Sequence, residues 1–226
     1  MARTAPMFLD LNKLCCRRAG RLVFHDLSFR VEAGQAAALR GPNGVGKSTL
    51  LRQLAGLIPV AGGEARLGDV SLVHDRQGFQ EQVAYAGHLD AVKPALSIGE
   101  NLTLWAEIHG NDAARAEAAL ERFGLDIIAT RPAAQCSAGQ QRRLGLARLL
   151  VADRPLWLLD EPTVSLDADA AALVADLVRE HIAAGGMALI ATHVELGLGD
   201  IPTLEMTPPK ADAHHQDDPF LAGSWT

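Results

Sequence analysis

One stretch of eight residues constrains this chain more than any other: Gly41-Pro42-Asn43-Gly44-Val45-Gly46-Lys47-Ser48 satisfies GxxxxGK[ST] at every fixed position. Its flanks fit as well. Gln35–Arg40 reads as a small-residue strand, and Ser48–Gly56 has helical periodicity with Leu50, Leu51 and Leu54 on one side. A strand, a glycine-rich turn and a helix start in that order form a phosphate cradle. Gly41, Gly44 and Gly46 let backbone N–H groups turn inward without Cβ clashes. The helix beginning near Ser48 aims its positive end at the same point. Lys47 then reaches the β- and γ-phosphates, and the Ser48 hydroxyl is a ligand for Mg²⁺.

The rest of the chain supplies a matching scaffold. Phe8–Leu11, Arg21–Phe24 and Leu27–Val31 read as short N-terminal strands, and Gly62-Gly63 as a turn between strands. Three helices follow: one opened by a Ser97-Ile-Gly-Glu100 capping box, one at Ala113–Phe123 and one at Ser137–Ala152. Leu156–Leu159 and Met187–Ala191 are apolar runs of buried-strand length, separated by a helix at Ala168–Ala184 that Gly185-Gly186 ends. Strands alternating with helices predict an α/β fold with a mostly parallel sheet, preceded by antiparallel strands and interrupted by a helical lobe. The domain is expected to span 7–206, with the lobe at about 90–153 and a flexible tail at 207–226.

Leu156-Trp-Leu-Leu-Asp160-Glu161 is an apolar strand ending in two carboxylates, and it delivers Asp160 to the sheet edge where ligands bind. Asp160 is the second candidate for holding Mg²⁺. Glu161 is the candidate general base for an attacking water. Ser137-Ala-Gly139-Gln140 opens a helix as an S-x-x-Q box. It is either a helix cap alone or a second anion-binding helix end, supplied by a second copy of the chain.

Composition removes other classes. Aromatics make up 4% and the net charge is −6, which argues against a stacking platform or a polyanion-binding surface for nucleic acid. The apolar runs are far shorter than the roughly 20 residues of a membrane span. Met1-Ala-Arg-Thr-Ala-Pro has no basic stretch followed by an apolar core, so no secretory signal is expected. Cys15, Cys16 and Cys136 form no CxxC pair and read as structural thiols.

Five motifs in order, Gly41–Ser48, Ser137-Ala-Gly-Gln140 followed by Gln141-Arg-Arg, Asp160-Glu-Pro-Thr163, Ser165-Leu-Asp167 and His193, resemble the nucleotide-binding subunit of ABC transporters. The resemblance implies a P-loop ATPase of the ABC type that binds ATP and Mg²⁺. Its nucleotide contacts would run from Gly41 through Pro42, Asn43, Gly44, Val45, Gly46, Lys47 and Ser48 to Thr49. Ser137, Gly139, Gln140 and Asp167 would join them across a head-to-tail homodimer, Asp167 linking the two sites. His193 would touch the γ-phosphate and act beside Glu161 and Lys47. Ala138 in the signature, and Tyr85–Leu96 preceding Glu100-Asn-Leu, look like the haem-exporter type of bacterial cytochrome c maturation. That finer resemblance implies integral membrane partners and a place at the cytoplasmic face of the bacterial inner membrane. The alternatives are an ABC subunit for another small-molecule or lipid cargo, and an ATP-gated dimer switch without transport.

The chain departs from the family in places. A Gln is usual in the loop near Ala86–Lys93, but Leu89 takes that position here, leaving His88 and Asp90 as candidates for its polar role. No aromatic stands near Cys16–Arg18 to stack on adenine, and Arg17 or Arg18 is the candidate cover. His25, His74, His109 and His181 read as surface or core residues without nameable partners, and His214-His215 as part of a polar tail, with haem or metal ligation as the alternative.

Overall fold

The computed structural model describes residues 7–88, 90–194 and 196–209. The chain opens with two long strands, β1 (Phe8–Arg18) and β2 (Arg21–Glu32), joined through Ala19-Gly20, both in the left-handed region. Such a pair matches the twist of a tight hairpin. β3 (Ala36–Arg40) runs into the glycine-rich loop and α1 (Lys47–Leu54). Then come β4 (Gly62–Leu67), β5 (Val70–Ser71), α2 (Arg76–Gln80) and β6 (Val83–Ala86). Three helices follow, α3 (Ile98–His109), α4 (Ala113–Arg122) and α5 (Ala138–Ala152). The chain closes with β7 (Leu156–Asp160), α6 (Ala168–Ala183), β8 (Met187–Ala191) and β9 (Thr203–Glu205).

Two sheets result. One is antiparallel, in the order β2-β1-β4-β5; the other has the order β6-β7-β8-β3-β9, and all its pairings are parallel. β7 and β8 are buried along their whole length, as apolar central strands of a parallel sheet should be. Alternation divides their side chains between two cores. Leu156, Leu158, Met187 and Leu189 face α1 and the antiparallel sheet. Trp157, Leu159, Ala188 and Ile190 face α3–α6. The parallel sheet thus lies between the N-terminal strands and the helices, and the ends of β3, β7 and β8 converge on one edge.

The N-terminal segment differs from the three short strands expected, because bulges interrupt its alternation. Leu9 and Leu11 are buried in one phase, Leu14 and Cys16 in the other, and the register shifts between Leu11 and Leu14. Lys13 is the extra residue, at φ 47. The expected turn at Gly62-Gly63 is instead the start of β4, laid against this bulge. Gly63 has φ +72, and a Cβ there would sit 2.1 Å from the Lys13 carbonyl oxygen. Gly63→Ala is therefore expected to lower stability by about 2–4 kcal/mol through overpacking and left-handed strain. Urea unfolding checks this, and an unchanged midpoint would contradict the bulge's need for glycine.

Both expected capping boxes are present: Ser97 with Glu100 on α3, and Ser137 with Gln140 on α5. α2, β5, β6 and β9 were not expected, being too short to carry a period. Among the described residues no helix is long and apolar enough to cross a membrane. His214-His215 and Leu89 lie outside the described residues.

Candidate active site

The glycine-rich loop joins β3 to α1 as the sequence predicts. Gly41, Gly44 and Gly46 have φ of 136, 80 and 112°. Two of them also permit close approach: a Cβ on Gly41 would meet the Met206 carbonyl oxygen at 2.3 Å, and one on Gly46 would meet Val23 Cγ1 at 2.7 Å. Gly46 caps α1 without a side-chain hydrogen bond, which leaves the first-turn N–H groups available to an anion. Pro42, Asn43 and Gly44 are exposed at the rim, Val45 is buried beneath, and Thr49 is half-buried one residue past Ser48. Lys47 is 8% exposed, and its ammonium donates to the carbonyls of Gly41 (2.6 Å) and Pro42 (3.2 Å), so it stays folded over the loop.

Asp160 ends β7 with 4% exposure. Its Oδ1 accepts a hydrogen bond from the Ser48 hydroxyl at 2.9 Å, joining residues 112 positions apart. The two candidate Mg²⁺ ligands are therefore neighbours. Their oxygens form a hard donor set that suits Mg²⁺, which takes one or two protein ligands and completes its shell with phosphate and water. Among the described residues no cluster of three or more His, Cys, Asp or Glu competes for a metal.

Glu161 turns the chain at φ 48, and its N–H donates to the Ala191 carbonyl at the end of β8 (2.8 Å). That turn brings its Oε1 to 3.5 Å from His193 Nε2, with the two side chains 25% and 54% exposed. A carboxylate and an imidazole, both reachable from solvent, thus stand beside the Ser48–Asp160 pair. Asp167 is the N-cap of α6, accepting from the Ala170 N–H at 2.8 Å. Ser137 and Gln140 bond each other, Gln140 N–H to Ser137 Oγ at 3.2 Å and Ser137 N–H to Gln140 Oε1 at 3.0 Å. A Cβ on Gly139 would lie 3.4 Å from the Ser165 carbonyl, so the start of α5 packs on the segment after Glu161.

Arg142 is the functional candidate that sequence reasoning passed over. It is 5% exposed and donates to the carbonyls of Gly87 (2.7 Å), Asp160 (3.3 Å) and Glu161 (2.7 Å) and to Asp90 Oδ1 (2.8 Å). One signal was available: Arg142, Leu146 and Leu149 share one face of α5, and a cation on an apolar face needs buried partners. Asp90 accordingly faces Arg142. His88 is exposed.

His88 belongs instead to a groove of about 670 Å³ between β6, α1, α3 and α5. Its walls include Leu57, Tyr85, Trp105 and Arg148. Burial pulls the Arg148 guanidinium down to about 10, and its carbon lies 4.6 Å from the Trp105 ring centre. Of the four histidines without expected partners, His25 pairs with Asp26 at 3.0 Å and two others stack on tryptophans. His109 stacks on Trp105 at 5.7 Å and His181 on Trp157 at 4.0 Å between ring centroids, and burial lowers the pKa of both.

Comparison with known proteins gives the family. The profile of the family described as ABC transporter matches residues 24–164. The chain is 50% identical over 218 residues to the cytochrome c biogenesis ATP-binding export protein CcmA of Cereibacter sphaeroides, covering 95% of this chain and 98% of that one. It is also 50% identical over 203 residues to the protein of that name from Rhodobacter capsulatus, covering 90% and 89%. Among solved structures, an ATP-binding subunit of an ABC transporter superposes with TM-score 0.77 at 27% identity, covering 83% of this chain and 80% of that one. An ATP-binding cassette in its ADP conformation, 21% identical, shares the fold with TM-score 0.73, covering 88% and 87%. A family profile over more than half of the chain, together with half-identity to relatives matched almost end to end, settles its membership: the chain belongs to the ABC transporter family and is an ATP-hydrolysing cassette.

Proposed function

We propose that this cassette hydrolyses ATP as a homodimer to drive a membrane complex of the haem-export, cytochrome c maturation type. The observation that carries the catalytic part is the convergence of Lys47, the Ser48–Asp160 pair and the Glu161–His193 pair at one sheet edge. The loop N–H groups and Lys47 hold the phosphates. Ser48 and Asp160 would hold Mg²⁺, which when bound neutralises charge on the β- and γ-phosphate oxygens. Glu161 accepts a proton from water as the water oxygen bonds to the γ-phosphorus. The bond from that phosphorus to the bridging oxygen breaks, giving ADP and inorganic phosphate. His193, 3.5 Å from Glu161, would contact the γ-phosphate.

The signature segment Ser137, Gly139 and Gln140, with Asp167, completes the site of a second copy. In support, Ser137 and Ala138 are exposed where α5 opens, and the Ser137 hydroxyl accepts from the Gln140 N–H at 3.2 Å. This yields a specific test. Ser137→Arg and Lys47→Ala chains should each be inactive alone. Mixed one to one, they should regain about a quarter of the parent rate per chain, because half of the dimers keep one intact composite site. No recovery, or full activity of Ser137→Arg alone, would overturn a shared site.

The membrane part rests on the relatives' role in cytochrome c biogenesis and export, as their names give it, and on the apolar groove beside β6, a surface suited to a segment of an integral membrane subunit. We place 7–206 in one ATPase domain, with the helices of 90–153 as the lobe that meets this subunit at the cytoplasmic face of the inner membrane. Detergent pull-down of the tagged chain should recover membrane subunits. Recovery of ribosomes or DNA instead would overturn the assignment.

A further inference from the structure

The loop after β6 and the end of β7 are tied together by one side chain. Arg142 spends its Nη1 on the loop, through Gly87 O (2.7 Å) and Asp90 Oδ1 (2.8 Å). It spends its Nη2 on the strand end, through Asp160 O (3.3 Å) and Glu161 O (2.7 Å). A guanidinium is planar and rigid, so its two terminal nitrogens hold their acceptors in a fixed relation. Asp90 supplies the charge that keeps this buried cation in place, with side chains only 7% and 21% exposed. One turn along α5, Gly145 leaves the space: a Cβ there would come within 2.7 Å of Asp90 Cβ and 3.1 Å of its Cα. The loop is seated on the helix backbone and latched by charge.

The strand side of the latch ends at the residue whose direction matters most. Glu161 has φ 48, its N–H is held by Ala191 O at 2.8 Å, and its carbonyl is held by Arg142. The two bonds grip the peptide groups on both sides of its Cα, which directs the carboxylate toward His193. On the loop side, Gly87 lines the apolar groove. Two hydrogen bonds through Arg142 therefore connect the groove with the Glu161 peptide.

We propose that the Asp90–Arg142 pair is a positioning device that sets the aim of Glu161. The proposal rests on the reading of Glu161 as the base. It gives Asp90 a polar role exercised through Arg142 and not at the nucleotide.

The test measures kcat and KM for ATP, with thermal unfolding alongside. Asp90→Asn keeps shape and loses charge. It should lower kcat about five- to tenfold with KM within twofold, the signature of a base out of line. The unfolding midpoint should fall because buried Arg142 loses its counter-charge, with the chain still folded at the assay temperature. Arg142→Lys has one nitrogen and cannot span both sides, so kcat should fall tenfold or more. The double variant should be no worse than Arg142→Lys alone, because both changes break one connection. Parental kcat in Asp90→Asn, losses that multiply in the double variant, or a raised KM at parental kcat would each overturn the proposal. If Arg142→Lys does not fold, Asp90→Asn decides alone. Glu161→Gln run in parallel separates the two levels: hydrolysis at the parent rate there removes the base assignment and the proposal with it. A dead Glu161→Gln beside a fully active Asp90→Asn removes the latch only.

Discussion

Glu161→Gln is expected to lower ATP hydrolysis about 100-fold or more while leaving ATP binding intact. The amide has the shape of the carboxylate but cannot take a proton, and loss of a positioned general base costs on that scale. Nothing else at the site should move. The backbone of Glu161 is held by Ala191 O and Arg142, neither of which touches the carboxylate. Its 3.5 Å contact with His193 is partly exposed and adds little to stability. With water activation removed and the phosphate contacts kept, the closed dimer should accumulate in ATP. Size-exclusion chromatography with and without ATP reads this directly. A variant that stays monomeric in ATP and hydrolyses at the parent rate would show that the base lies elsewhere.

Lys47→Ala should be the second severe loss, about 100- to 1,000-fold in kcat, the scale for removing one preorganised charge from developing charge at phosphorus. The fold should tolerate it. Lys47 donates to two carbonyls of its own loop, and water replaces it because Pro42 is exposed and Gly41 only half-buried. The unfolding midpoint should therefore stay near that of the parent chain. Near-parental phosphate release from a folded Lys47→Ala chain would contradict the assignment of Gly41–Ser48.

What the sequence revealed about this site, and what it hid, follows from the range of each interaction. The loop, both capping boxes and the apolar strands were legible because their determinants lie within a few residues. Ser137 and Gln140 find each other three positions apart, and Leu156–Asp160 is buried end to end because it is continuously apolar. A parallel sheet also predicts that Asp160 ends at the same edge as the P-loop, since the carboxyl ends of parallel strands share one edge. Arg142 stayed hidden because three of its four acceptors are backbone carbonyls, up to 55 positions away, and carbonyls leave no residue-type signal. The N-terminal strands were misdivided for a related reason. A bulge at Lys13 reverses which alternate residues are buried, so one strand reads as separate pieces. Gly62-Gly63 reads as a turn in the sequence because the glycines that admit a bulge on the neighbouring strand resemble those that make a turn.

Phosphate release from Mg·ATP by the purified chain, measured against the chain's own concentration, tests the central claim most directly. A site completed by a second copy predicts that the rate per chain rises with concentration and then levels off, and that Lys47→Ala abolishes it at every concentration. Release no greater than that of Lys47→Ala throughout, or a rate per chain that stays constant on dilution, would contradict the account.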